Sequence, residues 1–213
     1  MFGVAGLRFQ HLMKRRIGES GWRSATGYGI WIMCWIVGHI AGGAALGALL
    51  GWLGEMLPQR AHTIGLLLLS GGCLVWALHQ FRLIRLPMPQ LHRQVARAWM
   101  QRLPWNSVAL GYGVQLGCGV ATRIKVATTY AVIGCALLSE SAIAGSLILG
   151  LFGVARSILP VALAQHAASP ERSFSVAQGF STHEQLVSKL NGVGLLVTSA
   201  FLFSIFWQVK EAW

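Results

Sequence analysis

Long apolar runs separated by short polar connections dominate the chain. A membrane helix needs about 20 mostly apolar residues at 1.5 Å each. Five runs meet or approach that length: 27–57, 63–81, 105–138, 142–166 and 192–209. The first is uncharged until Glu55. The third is interrupted by Arg123 and Lys125, and the fourth contains Arg156. Dividing the third at Arg123 leaves two pieces short of ordinary spans, so it reads as one broken or bent crossing. The pattern predicts an all-α, polytopic membrane bundle with about five transmembrane helices. It forms one domain over 25–213, preceded by a basic segment, 1–24.

Two connections are longer than the rest. Residues 82–104 carry five Arg and no acid. Within them, 91–103 fits either an amphipathic helix lying on the membrane with Trp99 at the interface, or a solvated basic loop. In the second connection, 167–190, Ser181 stands three positions before Glu184. That spacing suits a capping box opening a helix.

Composition agrees with lipid as the main solvent. Only 11% of residues are charged and 54% are hydrophobic, against about 25% charged in soluble domains. The formal charge of +11 arises from 17 basic residues against six acids, all Glu. These cations flank apolar spans and form no aromatic-interleaved basic surface, so nucleic acid is not an expected partner. Residues 1–24 hold five cations with no apolar stretch before a cleavage site, so no cleavable leader is expected. Lys and Arg concentrate on the cytoplasmic side of membrane proteins. With five crossings and the N-terminus inside, twelve basic residues fall in the inner segments and two, Arg60 and Lys210, in the outer ones. The expected location is a bacterial-type inner membrane, with a cytoplasmic N-terminus and an external C-terminus.

An internal likeness links IAGGAALGALLGWLGEMLP (40–58) to IAGSLILGLFGVARSILP (143–160). One single-residue gap aligns Ile-Ala-Gly, Leu-Gly, a further Gly and a closing Leu-Pro. On the topology above the copies run in opposite directions, the pattern of inverted repeats in many carriers. Each is followed by a span, and the second is also preceded by one. The unit is therefore three helices, the repeat is partial, and residues 1–24 stand where the first opening helix is expected.

The arrangement resembles the membrane domain of the thiol–disulfide carrier DsbD and its short relative CcdA, used in cytochrome c maturation. The segment Gly111-Tyr-Gly113-Val-Gln-Leu-Gly117-Cys118-Gly119 is similar to that superfamily's second Pro-Cys segment. Gly145, Gly150, Gly153 and Pro160 resemble the Gly-rich run after it. The resemblance implies two inverted three-helix units and a disulfide relay through paired cysteines. Here Gly117 stands where the superfamily has Pro, and the helix supplying the partner Cys is absent. The resemblance points to Cys118, and only Cys34 or Cys73 could meet it, by helix packing; Cys118 and Cys34 are the redox candidates, and the alternative is four structural cysteines. A relay needs Cα atoms within about 7 Å.

Ionisable residues inside spans usually have a reason to be there. Arg123 and Lys125 follow the Gly-rich stretch, where a broken helix opens its backbone groups, and with Arg156 they are candidate binding residues. The stronger alternative for Arg123 and Lys125 is that both face a water-filled notch or snorkel toward headgroups, and for Arg156 that it snorkels to the cytoplasmic headgroups. Gly111, Gly113, Gly117 and Gly119 suit a hinge, as Pro160 does in the following span. Gly43, Gly47 and Gly51 mark a close-packing helix face. His39 lies mid-span and His79 near the end of the next span. No metal-ligand, nucleotide or paired-carboxylate motif is present, so no metal, cofactor or catalytic group is expected. The reading favours an accessory or assembly subunit of a redox or energy-converting membrane system, with lipid and a membrane protein as its partners. A thiol carrier and a small-anion permease are the alternatives.

Overall fold

In a computed structural model, residues 25–84, 86, 103–119, 127–166 and 184–211 are described. Among them the chain is entirely helical. Six helices follow in order: α1 (Ala25–Glu55), α2 (Gln59–Gln80), α3 (Trp105–Gly117), α4 (Thr128–Leu137), α5 (Ala142–His166) and α6 (Glu184–Glu211). Three of them, α1, α2 and α6, are long and apolar enough to cross a membrane. The basic segment 1–24, all but the last residue of the segment 91–103, Ser181 of the capping box, and both Arg123 and Lys125 lie outside the described residues.

Local chemistry sets the helix ends. Pro58 and Pro104 are the N-caps of α2 and α3, with φ/ψ of −64/146° and −59/148°. Proline has no N–H to lose there, and its fixed φ suits a helix start. The end of α2 is closed by Arg82 in the left-handed region, φ 62°. Its N–H donates to the His79 carbonyl at 2.9 Å, and the Leu86 N–H donates to His79 Nδ1 at 3.1 Å. His79 therefore serves as a helix terminator.

The helices form two groups. In the first, α1 lies between α3 and α5. It runs parallel to α3: Trp31 and Trp35 cluster with Val108 and Ala109, and Gly42 meets Val114 further on. It runs antiparallel to α5: Gly43 meets Leu149, Gly47 meets Gly145 and Gly51 meets Ser141. These are backbone-to-backbone contacts. A Cβ on Gly47 would overlap the Gly145 carbonyl oxygen, and one on Gly145 would overlap that of Gly47. Small residues admit this approach and gain dispersion along the whole interface.

The second group is the antiparallel pair α2 and α6. Ser70 Oγ donates to the Ser199 carbonyl at 2.9 Å, and Ser199 Oγ donates back to the Ser70 carbonyl at 2.8 Å. Around this exchange Leu66, Cys73 and Ala77 of α2 cluster with Leu195 and Leu202 of α6. Helix α4 joins the groups. Ala127 and Ala131 enter the α2–α6 cluster, while the Leu137 carbonyl touches Gly54 of α1.

Candidate functional site at the interrupted helix

The third apolar run folds as two helices. Helix α3 stops at Gly117; the Cys118 N–H donates to the Val114 carbonyl at 2.9 Å and the Gly119 N–H to the Leu116 carbonyl at 3.1 Å. Gly119 takes φ 68°, a conformation that ends helices and that side chains resist. Gly113 and Gly117 have a different task. They lie inside the helix, where a Cβ would overlap the Trp35 and His39 carbonyl oxygens of α1. The glycine stretch thus divides into contact glycines and one turn glycine.

Arg156 faces the end of α3. Its Nη1 donates to the Leu116 carbonyl at 3.2 Å, and its guanidinium lies 5.5 Å from the Phe152 ring centroid. A helix C-terminus carries partial negative charge, and a cation there is stabilising. The guanidinium is half-buried and turned into the protein. Snorkelling to headgroups, the stronger expectation for Arg156, does not describe this placement. Gly153, one turn earlier on α5, meets the His39 carbonyl. Arg156 therefore sits near the level of His39, which is the middle of α1.

His39 is 2% exposed, and its Nδ1 lies 3.1 Å from the Trp35 carbonyl. A carbonyl only accepts, so this nitrogen carries the hydrogen. The Trp35 ring stands edge-on to the imidazole at 4.4 Å. Cys118 Sγ donates to the Gly42 carbonyl at 3.4 Å. Across the interruption, Thr128 at the start of α4 meets Asn191 Oδ1 of α6. One cation, one imidazole and one thiol therefore converge where the helix breaks. The arrangement can hold a charge in an apolar setting and present backbone carbonyls.

The structure does not bring the two redox candidates together. Cys34 packs with the Trp31–Val108 cluster, whereas Cys118 bonds Gly42. Cys34 and Gly42 are about 12 Å apart along the axis of α1 at 1.5 Å per residue. A disulfide needs Cα atoms within about 7 Å. Cys73 and Cys135 instead share the α2–α4–α6 cluster, a proximity that only helix packing reveals. All four are free thiols. Helix α5 continues through Pro160 to His166. No group of three potential metal ligands occurs among the described residues.

A second polar constellation escaped sequence reasoning. At the far end of α1, Glu55 Oε1 accepts the Ala142 N–H at 3.0 Å, capping α5 from another helix. Beside it, His62 Nε2 lies 2.8 Å from the Leu138 carbonyl and Nδ1 lies 3.2 Å from Glu140 Oε1. None of these residues belongs to a motif; the available signal was only their position at the ends of apolar runs.

Comparison with known proteins gives partial relatives. No family model matches the chain, and no solved structure matches. Three curated proteins called methylamine utilization protein MauF are similar to it. The one from Methylophilus methylotrophus is 35% identical over 107 residues, covering 50% of this chain and 36% of that protein. The one from Methylobacillus flagellatus is 32% identical over 114 residues, 53% of this chain and 39% of that protein. The one from Methylorubrum extorquens is 27% identical over 136 residues, 64% and 46% respectively. The matched part of this chain spans less than half the length of these relatives.

Proposed function

We propose that this chain is an integral membrane accessory or assembly subunit serving a redox system of the inner membrane, in the manner of a protein needed for methylamine utilization. Its frame is a five-crossing, divergent version of the CcdA/DsbD-like inverted repeat. Three sets of contacts support that frame. Gly47 meets Gly145 while Gly43 meets Leu149, and Gly51 meets Ser141 while Gly153 meets His39. These contacts set the two copies antiparallel, as an inverted repeat requires. Ser70 and Ser199 exchange identical hydrogen bonds, the arrangement of two equivalent positions on a twofold axis. Helices α3 and α4 together then make one crossing.

The observation that carries the accessory role over the thiol-carrier role is the separation of Cys118 from Cys34. A shuttle passing a disulfide between them needs sulfurs in bonding range; a scaffold does not. The small-anion permease reading rests on Arg123 and Lys125, which lie outside the described residues. The third cation, Arg156, donates to the Leu116 carbonyl within the protein.

The test is purification of the tagged full-length chain from the native membrane in mild detergent, with wild-type and four-Cys→Ser forms side by side. A stoichiometric membrane or periplasmic redox protein should accompany both, and the four-Cys→Ser form should sustain growth on the amine. A mixed disulfide trapped through Cys118, with growth lost in Cys118→Ser, overturns the accessory reading in favour of a carrier.

A further inference from the structure

His62 sits in the first turn of α2, beside the turn that joins α4 to α5. Glu55, Arg60 and Glu140 are all exposed at this end of the bundle. Charged residues avoid the lipid core, so this end meets water. His62 itself is buried. Its Nε2 lies 2.8 Å from the Leu138 carbonyl. A carbonyl only accepts, so Nε2 carries the hydrogen, and the neutral imidazole has a lone pair at Nδ1. That nitrogen is shut off from water and makes no hydrogen bond among the described residues.

Glu140 Oε1 stands 3.2 Å from Nδ1, yet no hydrogen bond joins them. The oxygen therefore lies to one side of the ring nitrogen's axis, off the line a hydrogen bond prefers. Two ligands of one metal ion need this offset. With both at the usual zinc distance of about 2.0–2.1 Å, atoms 3.2 Å apart subtend about 100° at the ion, close to the tetrahedral angle of about 109°. The ion then takes the Nδ1 axis, and the oxygen stands about 40° from it. The Leu138 carbonyl completes the pattern. A ligating histidine almost always donates its other ring N–H to a carbonyl, a carboxylate or water, which fixes the tautomer and the ring orientation.

We infer that His62 Nδ1 and Glu140 Oε1 form an open site for a divalent transition ion of the zinc class, which clamps the start of α2 to the α4–α5 turn. One imidazole and one carboxylate are a donor set that zinc accepts. No third His, Cys, Asp or Glu stands with them among the described residues, so water completes the shell. Glu140 is 41% exposed, and water reaches the site from its side. The turn is held in place around the carboxylate. Ser139 Oγ donates to the Ala136 carbonyl at 2.8 Å, and Glu140 itself holds φ 49°. Glu55 brings a second negative charge close by, since its Oε1 accepts the Ala142 N–H at 3.0 Å. The inference stands apart from the accessory-subunit reading.

The experiment is zinc binding to the full chain in nanodiscs, purified through a tag without histidine. Bound zinc is counted by equilibrium dialysis, and the other histidines and thiols contribute equally to every form. Wild type should hold one more zinc equivalent than Glu140→Gln. Affinity at this site should fall at least about tenfold in that variant, the lower end of what even second-shell changes cost. His62→Gln should lose the same equivalent. Glu140→His should recover it, since imidazole also ligates zinc; a carboxylate with a purely structural role is not replaced in this way. Zinc should slow amide exchange at Ser139 and Glu140 in wild type and leave it unchanged in Glu140→Gln. The zinc-free exchange of the helices should match in all forms, which separates a lost ligand from a lost fold. An equal zinc count in wild type and Glu140→Gln overturns the site, as does a lost equivalent that Glu140→His does not recover.

Discussion

The α1–α3–α5 group and the α2–α6 pair solve the same packing problem by different means. In the first, glycines bring backbones into contact. In the second, Leu, Cys, Ala and larger side chains fill the space, and a serine exchange fixes the register. The difference follows from what each group must contain. The first encloses a helix end with exposed carbonyls, a guanidinium and an imidazole, and needs a frame too tight to shift. The second holds no charged group at its centre. A pair of side-chain-packed helices tolerates repacking; a backbone-packed group does not.

The sharpest way to break this contrast is to place one side chain on glycines of each group. Gly47→Leu forces a side chain against the Gly145 backbone, whereas Gly72→Leu on α2 meets only the Trp76 ring, at 4.0 Å. Overpacking ordinarily costs roughly 1–3 kcal/mol, and an obstructing carbonyl cannot rotate away. Gly47→Leu should lose more than about 3 kcal/mol or fail to assemble, beyond that ordinary range. Gly72→Leu should be neutral or gain up to about 1 kcal/mol of helix propensity. Thermal unfolding in detergent followed by circular dichroism checks both, and equal losses would erase the distinction.

Much of this contrast could be read before the structure, though not all of it. Apolar run length marked where the described helices lie, because span length is set by bilayer thickness, but the third run holds two of them, α3 and α4. The spacing of Gly43, Gly47 and Gly51 marked a close-packed face, but only the fold reveals α5 as its partner. Gly113 and Gly117 read as flexibility because sequence counts a glycine's freedom; in the structure their missing side chains matter more. Ser70 and Ser199 look like any small residue in an apolar helix, since their meaning lies in meeting each other across 129 positions. Arg156 seemed close enough to its helix end to snorkel. Its level was fixed by the register with α1, which no local pattern encodes.

A second prediction concerns the charge that the tight group encloses. Arg156→Met removes a hydrogen bond from a charged donor, worth about 1.5–3 kcal/mol. It also removes a half-buried cation, and an exposed cation at the membrane centre costs at least about 2.5–3.5 kcal/mol to insert. The terms nearly cancel, so unfolding should shift by no more than about 1 kcal/mol either way, within the overlap of those ranges. Support of growth should nevertheless fall, and Arg156→Lys should restore part of it. If Arg156→Met were to unfold the chain while Arg156→Lys fully rescued it, the guanidinium would be a helix cap alone.

The smallest effect belongs to the serine exchange, and it tests whether the looser pair is held by register or by polarity. Hydrogen bonds between membrane helices average about 0.6 kcal/mol in double-mutant cycles. Ser70→Ala and Ser199→Ala each remove one donor, and each leaves the other hydroxyl its carbonyl acceptor. Neither variant opens a large cavity, because only one oxygen is lost. Each should therefore cost about 0.6 kcal/mol, and the pair together about twice that, with a coupling set by the Oγ–Oγ contact at 3.3 Å. Unfolding measured on both single variants and the double variant gives that coupling directly. A double variant no worse than either single would mean that the two hydroxyls act as one unit. A loss far above these values would make the exchange the main tie between α2 and α6, and the leucine and alanine packing around it the lesser contribution.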